Sequence, residues 1–371
     1  MDFDFSDEQN QLREAVARWV ERAYSPERRN DILAQGGFST QASQEMADLG
    51  LYALTVSPEH GGLGYGAVEA MVTMEELGRG LVLEPLATTL MITALLQSGA
   101  PQSIQEKSLS ALATGTWRCA LAYQERGARY ELDTCSTHAV PVGGQYLLSG
   151  EKHLVSLCDQ LHAFVVPARL DGRIALFMVD ASAQGLARNG YQTQDGSRFG
   201  DLRLQDTPGV LINADGLPLL ETAVDIGIAA ICAQAVGLMD RTLSLTVEYM
   251  NTRQQFGASL ASFQALRHRV ADIKMQLELA RSMSYYATLK LDAPVAERRV
   301  AMARAKYQIG QSMRFVGQQA VQLHGGIGVT RAATISHCFK ALTQLEMTFG
   351  DSLHHLGVVS SQMQDSAGVF S

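Results

Sequence analysis

The stretch HAFVVPARLDGRIALFMVD, residues 162–180, sets two apolar, β-prone runs on either side of Asp171-Gly172. A two-residue Asp-Gly loop supplies the positive φ angles that suit the right-handed twist of paired strands, so the stretch predicts an antiparallel hairpin. The same texture extends upstream, through CALAY (119–123), STHAVPV (136–142) and GGQYLLSGEKHLV (143–155). Short strands at regular spacing with no helical pattern between them indicate an antiparallel barrel or sandwich rather than βαβ units.

Helical patterns lie on both sides of this zone. Ser6-Asp-Glu-Gln9 has the form of a capping box ahead of a charged amphipathic run. Further helices are expected over Thr40 to Leu51, Gly66 to Leu81 and Pro85 to Leu96, with the glycine-rich SPEHGGLGYG (57–66) as a loop. Downstream, Leu266, Val270, Ile273, Leu277, Ala280 and Ser284 recur at spacings of four and three, as do Ala305, Ile309, Met313, Val316, Ala320 and Leu323. Each set is one core-facing stripe. With a helix over 220–250 and the 332–365 segment they predict a four-helix bundle. The expected class is therefore α+β: an all-α domain over 1–117, a central antiparallel β-barrel over 118–218 and a C-terminal bundle over 219–371.

Composition narrows the function. The chain has 371 residues, 46% of them hydrophobic and 18% charged, with a formal net charge of −8. That balance disfavours a general polyanion binder, so no nucleic acid partner is expected. Five scattered cysteines without a CxxC pair read as a reducing compartment with no zinc site. The acidic N-terminus lacks a signal-peptide core, and the most apolar window, Ile226 to Met239, contains Gln234 and is closed by Asp240. It reads as too short and too polar to span a bilayer, and a cytoplasmic protein is expected.

Three stretches carry candidate chemistry. LHGGIGV (323–329) follows a helix; it is not GxGxxG and no strand precedes it, so the dinucleotide fingerprint fails. It is either a helix C-cap with two glycines or a backbone that a flat or phosphorylated ligand approaches closely. YMNTRQQFGASLASFQALRHR (249–269) is either a polar inter-helix loop or a ligand contact, with Arg253 matched to phosphate oxygens and Phe256 to an aromatic ring. QLEMTFGDSLHHLG (344–357) packs Glu346, Asp351, His354 and His355 together, as metal ligands, an acid/base pair or the polar face of a helix.

Together with DFDFSDEQ (2–9), PEHGGLGYG (58–66) and GEKHLVS (150–156), the motifs TRQQFG (252–257) and QLHGGIG (322–328) resemble the acyl-CoA dehydrogenase family of flavoproteins over essentially the whole chain. The resemblance implies FAD as cofactor and α,β-dehydrogenation of an acyl-CoA thioester, with an electron-transfer flavoprotein as acceptor and a dimer of dimers as assembly. It places Ser156 at the flavin N5 edge, Leu154 where an aromatic usually covers the ring, and Gln124 near a flavin carbonyl. Arg253, Phe256, Phe263 and Gln264, contributed by a neighbouring subunit, and Gln322, Leu323, Gly325 and Gly326 complete the site. It also implies that metal plays no part. In such a site a carboxylate removes the α-proton while the β-hydrogen leaves as hydride, and hydrogen bonds to the thioester oxygen stabilise the forming enolate.

The sequence departs from the family where the base belongs. The usual aromatic-Glu-Gly-Thr corresponds to Phe349-Gly350-Asp351-Ser352, which puts glycine at the glutamate. The alternative glutamate position before the Ala235-Val236-Gly237 segment is Gly227, and the arginine common just after it is Ile228. The usual Thr-Glu-Pro-x-Ala-Gly-Ser run reads Gln124-Glu125-Arg126-Gly127-Ala128-Arg129-Tyr130, with Tyr130 crowding the serine's place. Three readings stay open. The chain is a subunit of a heteromeric acyl-CoA dehydrogenase, resembling the small-subunit branch, whose partner supplies the base. Or it is a self-sufficient homo-oligomer with a displaced base, Asp351 ahead of Asp225 and Glu346. Or it is a non-catalytic acyl-CoA/FAD-binding subunit, or a flavin monooxygenase of the same fold.

Overall fold

The Ser6 hydroxyl accepts from Gln9 N and the Gln9 side chain accepts from Ser6 N, so the capping box forms and opens α1 (Asp7–Ala23). The computed structural model describes residues 5–363. After α1 come α2 (Pro26–Ala34), α3 (Thr40–Asp48), α4 (Ala67–Arg79), α5 (Leu86–Gly99) and α6 (Gln102–Ala113). Seven strands follow: β1 (Cys119–Leu121), β2 (His138–Val142), β3 (Gln145–Ser156), β4 (Ala163–Leu170), β5 (Arg173–Asp180), β6 (Leu186–Gln192) and β7 (Arg198–Asn213). The chain ends in α7 (Leu217–Thr252), a hairpin of β8 (Gln254–Gln255) and β9 (Ala258–Ser259), α8 (Gln264–Leu289), α9 (Val295–His324), α10 (Thr334–Met347) and α11 (Ser352–Ser361). Helices, then strands, then helices is the expected order.

The chain divides into two compact units. One contains residues 27–70 and 83–227 and is built on the sheet. Leu170 faces Arg173 across the predicted Asp171-Gly172 turn, and φ is +50° and +80° at its two residues. β4, β2, β3, β7 and β5 pair in sequence and β5 returns to β4, so five strands close a ring, with β1 added on β4 and β6 on β7. Most pairings are antiparallel as expected, but β1 and β2 run parallel to β4. Phe164, Phe177, Leu148, Val166 and Leu202 fill the ring's interior.

The other unit contains residues up to 26, 71–82 and 228 onward. The stripe on α9 is buried throughout, and that on α8 is buried from Ile273 on. Gly78 and Gly237 let the end of α4 and the middle of α7 meet backbone to backbone, since a Cβ on either would strike Gln234 O or Glu75 O. Buried Glu75 and Glu76 are balanced there by Arg79 and Arg281, which also reach Asp240. The sequence reads the apolar window of this helix as too short and too polar to span a bilayer; in the fold α7 is long and apolar enough to cross a membrane by length and composition. Of its most apolar window 83% is buried inside the protein, which marks a core helix.

Candidate active site

On the sheet-based unit, β3 carries GEKHLVS. Lys152 turns inward and is completely buried. Its Nζ donates to Glu125 Oε1 at 2.7 Å. Glu125 also accepts from Ser136 N (2.7 Å), the Ser136 hydroxyl, Thr137 N (3.1 Å) and Thr137 Oγ1 (2.7 Å). Burial works to raise the Glu125 pKa, but the ammonium and these donors outweigh it and hold the carboxyl well below the usual carboxylate range. The pair fixes the loop after β1, and His153 N donates to Gln124 O at 2.9 Å, so Gln124 lies alongside β3.

The register of β3 on β7 slips by one residue between Lys152 and Val155. This bulge puts Leu154 at φ +52° and turns its side chain out, 47% exposed. Ser156 follows, paired with Phe199 and half-buried. Neither the Ser156 hydroxyl nor the Gln124 amide has a hydrogen-bond partner among the described residues. The bulge is a feature that sequence reasoning missed, because no glycine or proline marks it.

On the helical unit, the two remaining motifs come together. Tyr249, near the end of α7, stacks on His324 at 4.4 Å and donates to His324 O at 3.3 Å. The hairpin Gln254–Ser259 thereby starts close to the end of α9, where LHGGIGV begins. Phe256 sits at φ +54° with 94% of its surface exposed, touching Phe263 edge-on at 6.3 Å. Arg253, Gln264 and Gln322 are exposed, while Leu323 faces the core. Gly325 adopts φ +63°, and a Cβ on Gly325 or Gly326 would meet nothing within 4 Å. Two bare glycines, an exposed aromatic ring and a guanidinium with no carboxylate partner among the described residues fit the phosphate and ring groups of a dinucleotide.

The turn between α10 and α11 is the third element. Phe349 (φ +58°) and Gly350 (φ +110°) are consecutive left-handed residues. Lys306, fully buried on α9, donates to Glu346 O (2.7 Å) and Gly350 O (2.8 Å). Glu346 Oε1 accepts from Ser352 N (3.0 Å) and Ser352 Oγ (2.7 Å), which staples the turn from below. Asp351 is the N-cap of α11, its Oδ1 accepting from His354 N at 2.8 Å. His355 Nε2 donates to Phe349 O at 3.0 Å, while its buried Nδ1 has no partner among the described residues. Burial, Lys306 and His354 push the His355 pKa down to about 3, so the ring is neutral. A Cβ on Gly350 would lie 2.6 Å from His355 Nε2 and 2.8 Å from His354 Cδ2. The imidazoles thus occupy the space into which a side chain at 350 would project. Among the described residues no group of three or more His, Cys, Asp or Glu side chains is placed to hold a metal ion.

The N-terminal domain model of the acyl-CoA dehydrogenases matches residues 6–116, and the C-terminal domain model matches residues 214–363. The chain belongs to the acyl-CoA dehydrogenase family. It is 25% identical to the caffeyl-CoA reductase–Etf complex subunit CarC of Acetobacterium woodii, over 97% of this chain and 99% of that one. An acyl-CoA dehydrogenase of Mycolicibacterium smegmatis, IpdE2, is 29% identical over 90% of this chain and 92% of its own. Among solved structures, a variant of the Tcur3481–Tcur3483 steroid ACAD superimposes with a TM-score of 0.88 at 26% identity, covering 96% and 97% of the two chains. Butyryl-CoA dehydrogenase from Megasphaera elsdenii shares the fold with a TM-score of 0.90 at 23% identity, covering 97% and 99%. The family consists of FAD flavoproteins, oxidoreductases acting on CH–CH bonds, and FAD is the cofactor of this chain.

Proposed function

We propose that this chain is one subunit of a heteromeric acyl-CoA dehydrogenase that holds FAD and acyl-CoA while a related partner subunit supplies the catalytic base. The observation that carries the reading is Gly350. By the resemblance the family's glutamate position falls on Gly350, which stands at φ +110°, and a Cβ there would lie 2.6 Å from His355 Nε2. The nearest carboxylates are engaged: Glu346 holds Ser352, and Asp351 caps α11. The pairing of two components in the name of the steroid ACAD neighbour supports the same reading.

In this reading Arg253 of a neighbouring copy would pair with the pyrophosphate, and Phe256 and Phe263 of that copy would flank the adenine side. Gln264 and Gln322 hydrogen-bond there, and Gly325 and Gly326 admit the cofactor backbone while Leu323 backs them from the core. Ser156 and Gln124 offer their unpartnered hydroxyl and amide to the isoalloxazine edge, and Leu154 covers the ring. When bound there, FAD would supply the acceptor for the β-hydrogen. The α-proton goes to a carboxylate of the partner subunit, and an electron-transfer flavoprotein is the oxidant that restores the enzyme.

The test is anaerobic mixing of the purified chain, alone and co-expressed with its larger homologue, with acyl-CoA thioesters. The chain alone is expected to show at most a flavin spectrum that acyl-CoA does not bleach, and the complex is expected to bleach. Bleaching by the chain alone, abolished in Asp351→Asn, would overturn the reading in favour of a self-sufficient enzyme.

A further inference from the structure

The cluster around Lys152 contains a group with no part in the reaction. Cys135 Sγ lies 3.6 Å from Lys152 Nζ, which donates to it, and 3.3 Å from Glu125 Oε1. The backbone oxygens of Thr137 and Pro167 lie at 3.4 Å and 3.5 Å. All three side chains are buried, so a thiol and an amine are held beside each other away from bulk solvent. We propose that Cys135 and Lys152 are an oxidation site, joined under hydrogen peroxide by a covalent Nζ–O–Sγ bridge.

The chemistry balances with two equivalents of peroxide. The first converts the Cys135 thiol to the sulfenic acid: the S–H bond breaks, an S–O bond forms, and one water leaves. The ammonium of Lys152 then gives up a proton to solvent, and the second peroxide removes one hydrogen from the amine and one from the sulfenic acid as the N–O bond forms. Two further waters leave. Sulfur and nitrogen have each given up two electrons, and the product has gained one oxygen and lost two hydrogens.

Two features of the cluster favour this product over others. The separation of 3.6 Å is far beyond a direct S–N bond, but a short approach of the flexible lysine suffices once an oxygen stands between. Loss of the lysine's charge leaves Glu125 with two N–H and two O–H donors from Ser136 and Thr137, so the carboxylate keeps hydrogen-bond partners although it loses its counter-ion. Burial also raises the Cys135 pKa, which keeps the thiol protonated and makes the reaction slow, a response to sustained rather than transient oxidant. Its reach is local: Lys152 lies two residues before Leu154, and Glu125 adjoins Gln124, so the bridge alters the support of that edge of β3.

The experiment treats the purified full-length chain with hydrogen peroxide, then measures intact mass and maps peptides, with and without a thiol reductant. The expected result is a species heavier by one oxygen less two hydrogens, in which the peptides carrying Cys135 and Lys152 are joined, and which reductant returns to the starting mass. Cys135→Ser is expected to keep flavin content and lose the species; Cys135→Ala serves if the serine variant does not fold. Sulfinic or sulfonic acid on Cys135 with Lys152 unmodified, a join lacking the oxygen, or no change in the folded chain would each overturn the proposal. So would equal yield in urea, where the geometry is gone.

Discussion

Each unit of the molecule buries one lysine completely, and the two are held in opposite ways. Lys152 in the β-ring meets a carboxylate, so its charge is cancelled by a counter-ion that six donors in all surround. Lys306 in the helical unit rests on two backbone carbonyls, one of them in the last turn of α10, where the helix dipole presents its negative end. Carbonyl dipoles solvate a charge less completely than an ion does. Burial accordingly pulls the Lys306 pKa down to about 8 despite Cys232, Glu346 and Asp351 nearby. The difference teaches that a buried cation can serve as half of an ion pair that fixes a loop, or as a clip that ties off a helix end and shapes a turn.

The comparison can be broken most forcefully at the ion pair. Lys152→Met leaves Glu125 charged and buried, and unfolding in urea is expected to show a loss of about 3–5 kcal/mol. A loss below about 1 kcal/mol would mean that the Ser136 and Thr137 donors alone suffice.

Titration sharpens the other half. The folded pKa of Lys306 is below its unfolded value, so between about 8 and 10.5 the unfolded chain binds more protons. Stability therefore rises with pH across that window, by roughly 3 kcal/mol for this group. Melts of the wild type and Lys306→Met at pH 7.5 and pH 10 are expected to show the wild type gaining on the variant. Parallel behaviour would place the ammonium in contact with more charge or water than the turn provides.

The smallest effect lies next door, at His355, whose folded pKa of about 3 is also below its unfolded value. The unfolded chain takes up the proton first as pH falls below about 6.5, so this group costs about 2 kcal/mol of stability by pH 5. His355→Phe is expected to flatten that acid limb. Lys306→Met is expected to reduce the acid loss as well, because removing a neighbouring positive charge lets the folded pKa of His355 rise toward its unfolded value.

What the sequence discloses follows from how local each signal is. The Ser6 box, the Asp171-Gly172 turn and the stripes on α8 and α9 are short-range patterns, and the fold realises them. The parallel pairing of β1 with β4 joins residues more than forty apart without any turn to announce it. At the candidate site, Arg253, Phe256, Gly325 and Gly326 stand out because they are odd for the surface they occupy. Lys306 looks ordinary in ARAKYQIG, since its burial depends on carbonyls forty residues downstream. That Phe349-Gly350-Asp351-Ser352 holds a glycine between its aromatic and its acid is plain in the sequence; that imidazoles crowd the space beside Gly350 is not, because two adjacent histidines read equally well as a solvated face.

The closed ring of β4, β2, β3, β7 and β5 also governs how the protein meets copies of itself. A ring has no open rim of unpaired N–H and C=O groups, and the strands left at its flanks are poor templates. β1 is three buried residues long, and β6 carries exposed Arg188 and Asn189 beside Gly190. A stray strand from another chain finds no long, flat, apolar edge to extend, so the β-rich third of the molecule is guarded against edge-to-edge aggregation by its topology.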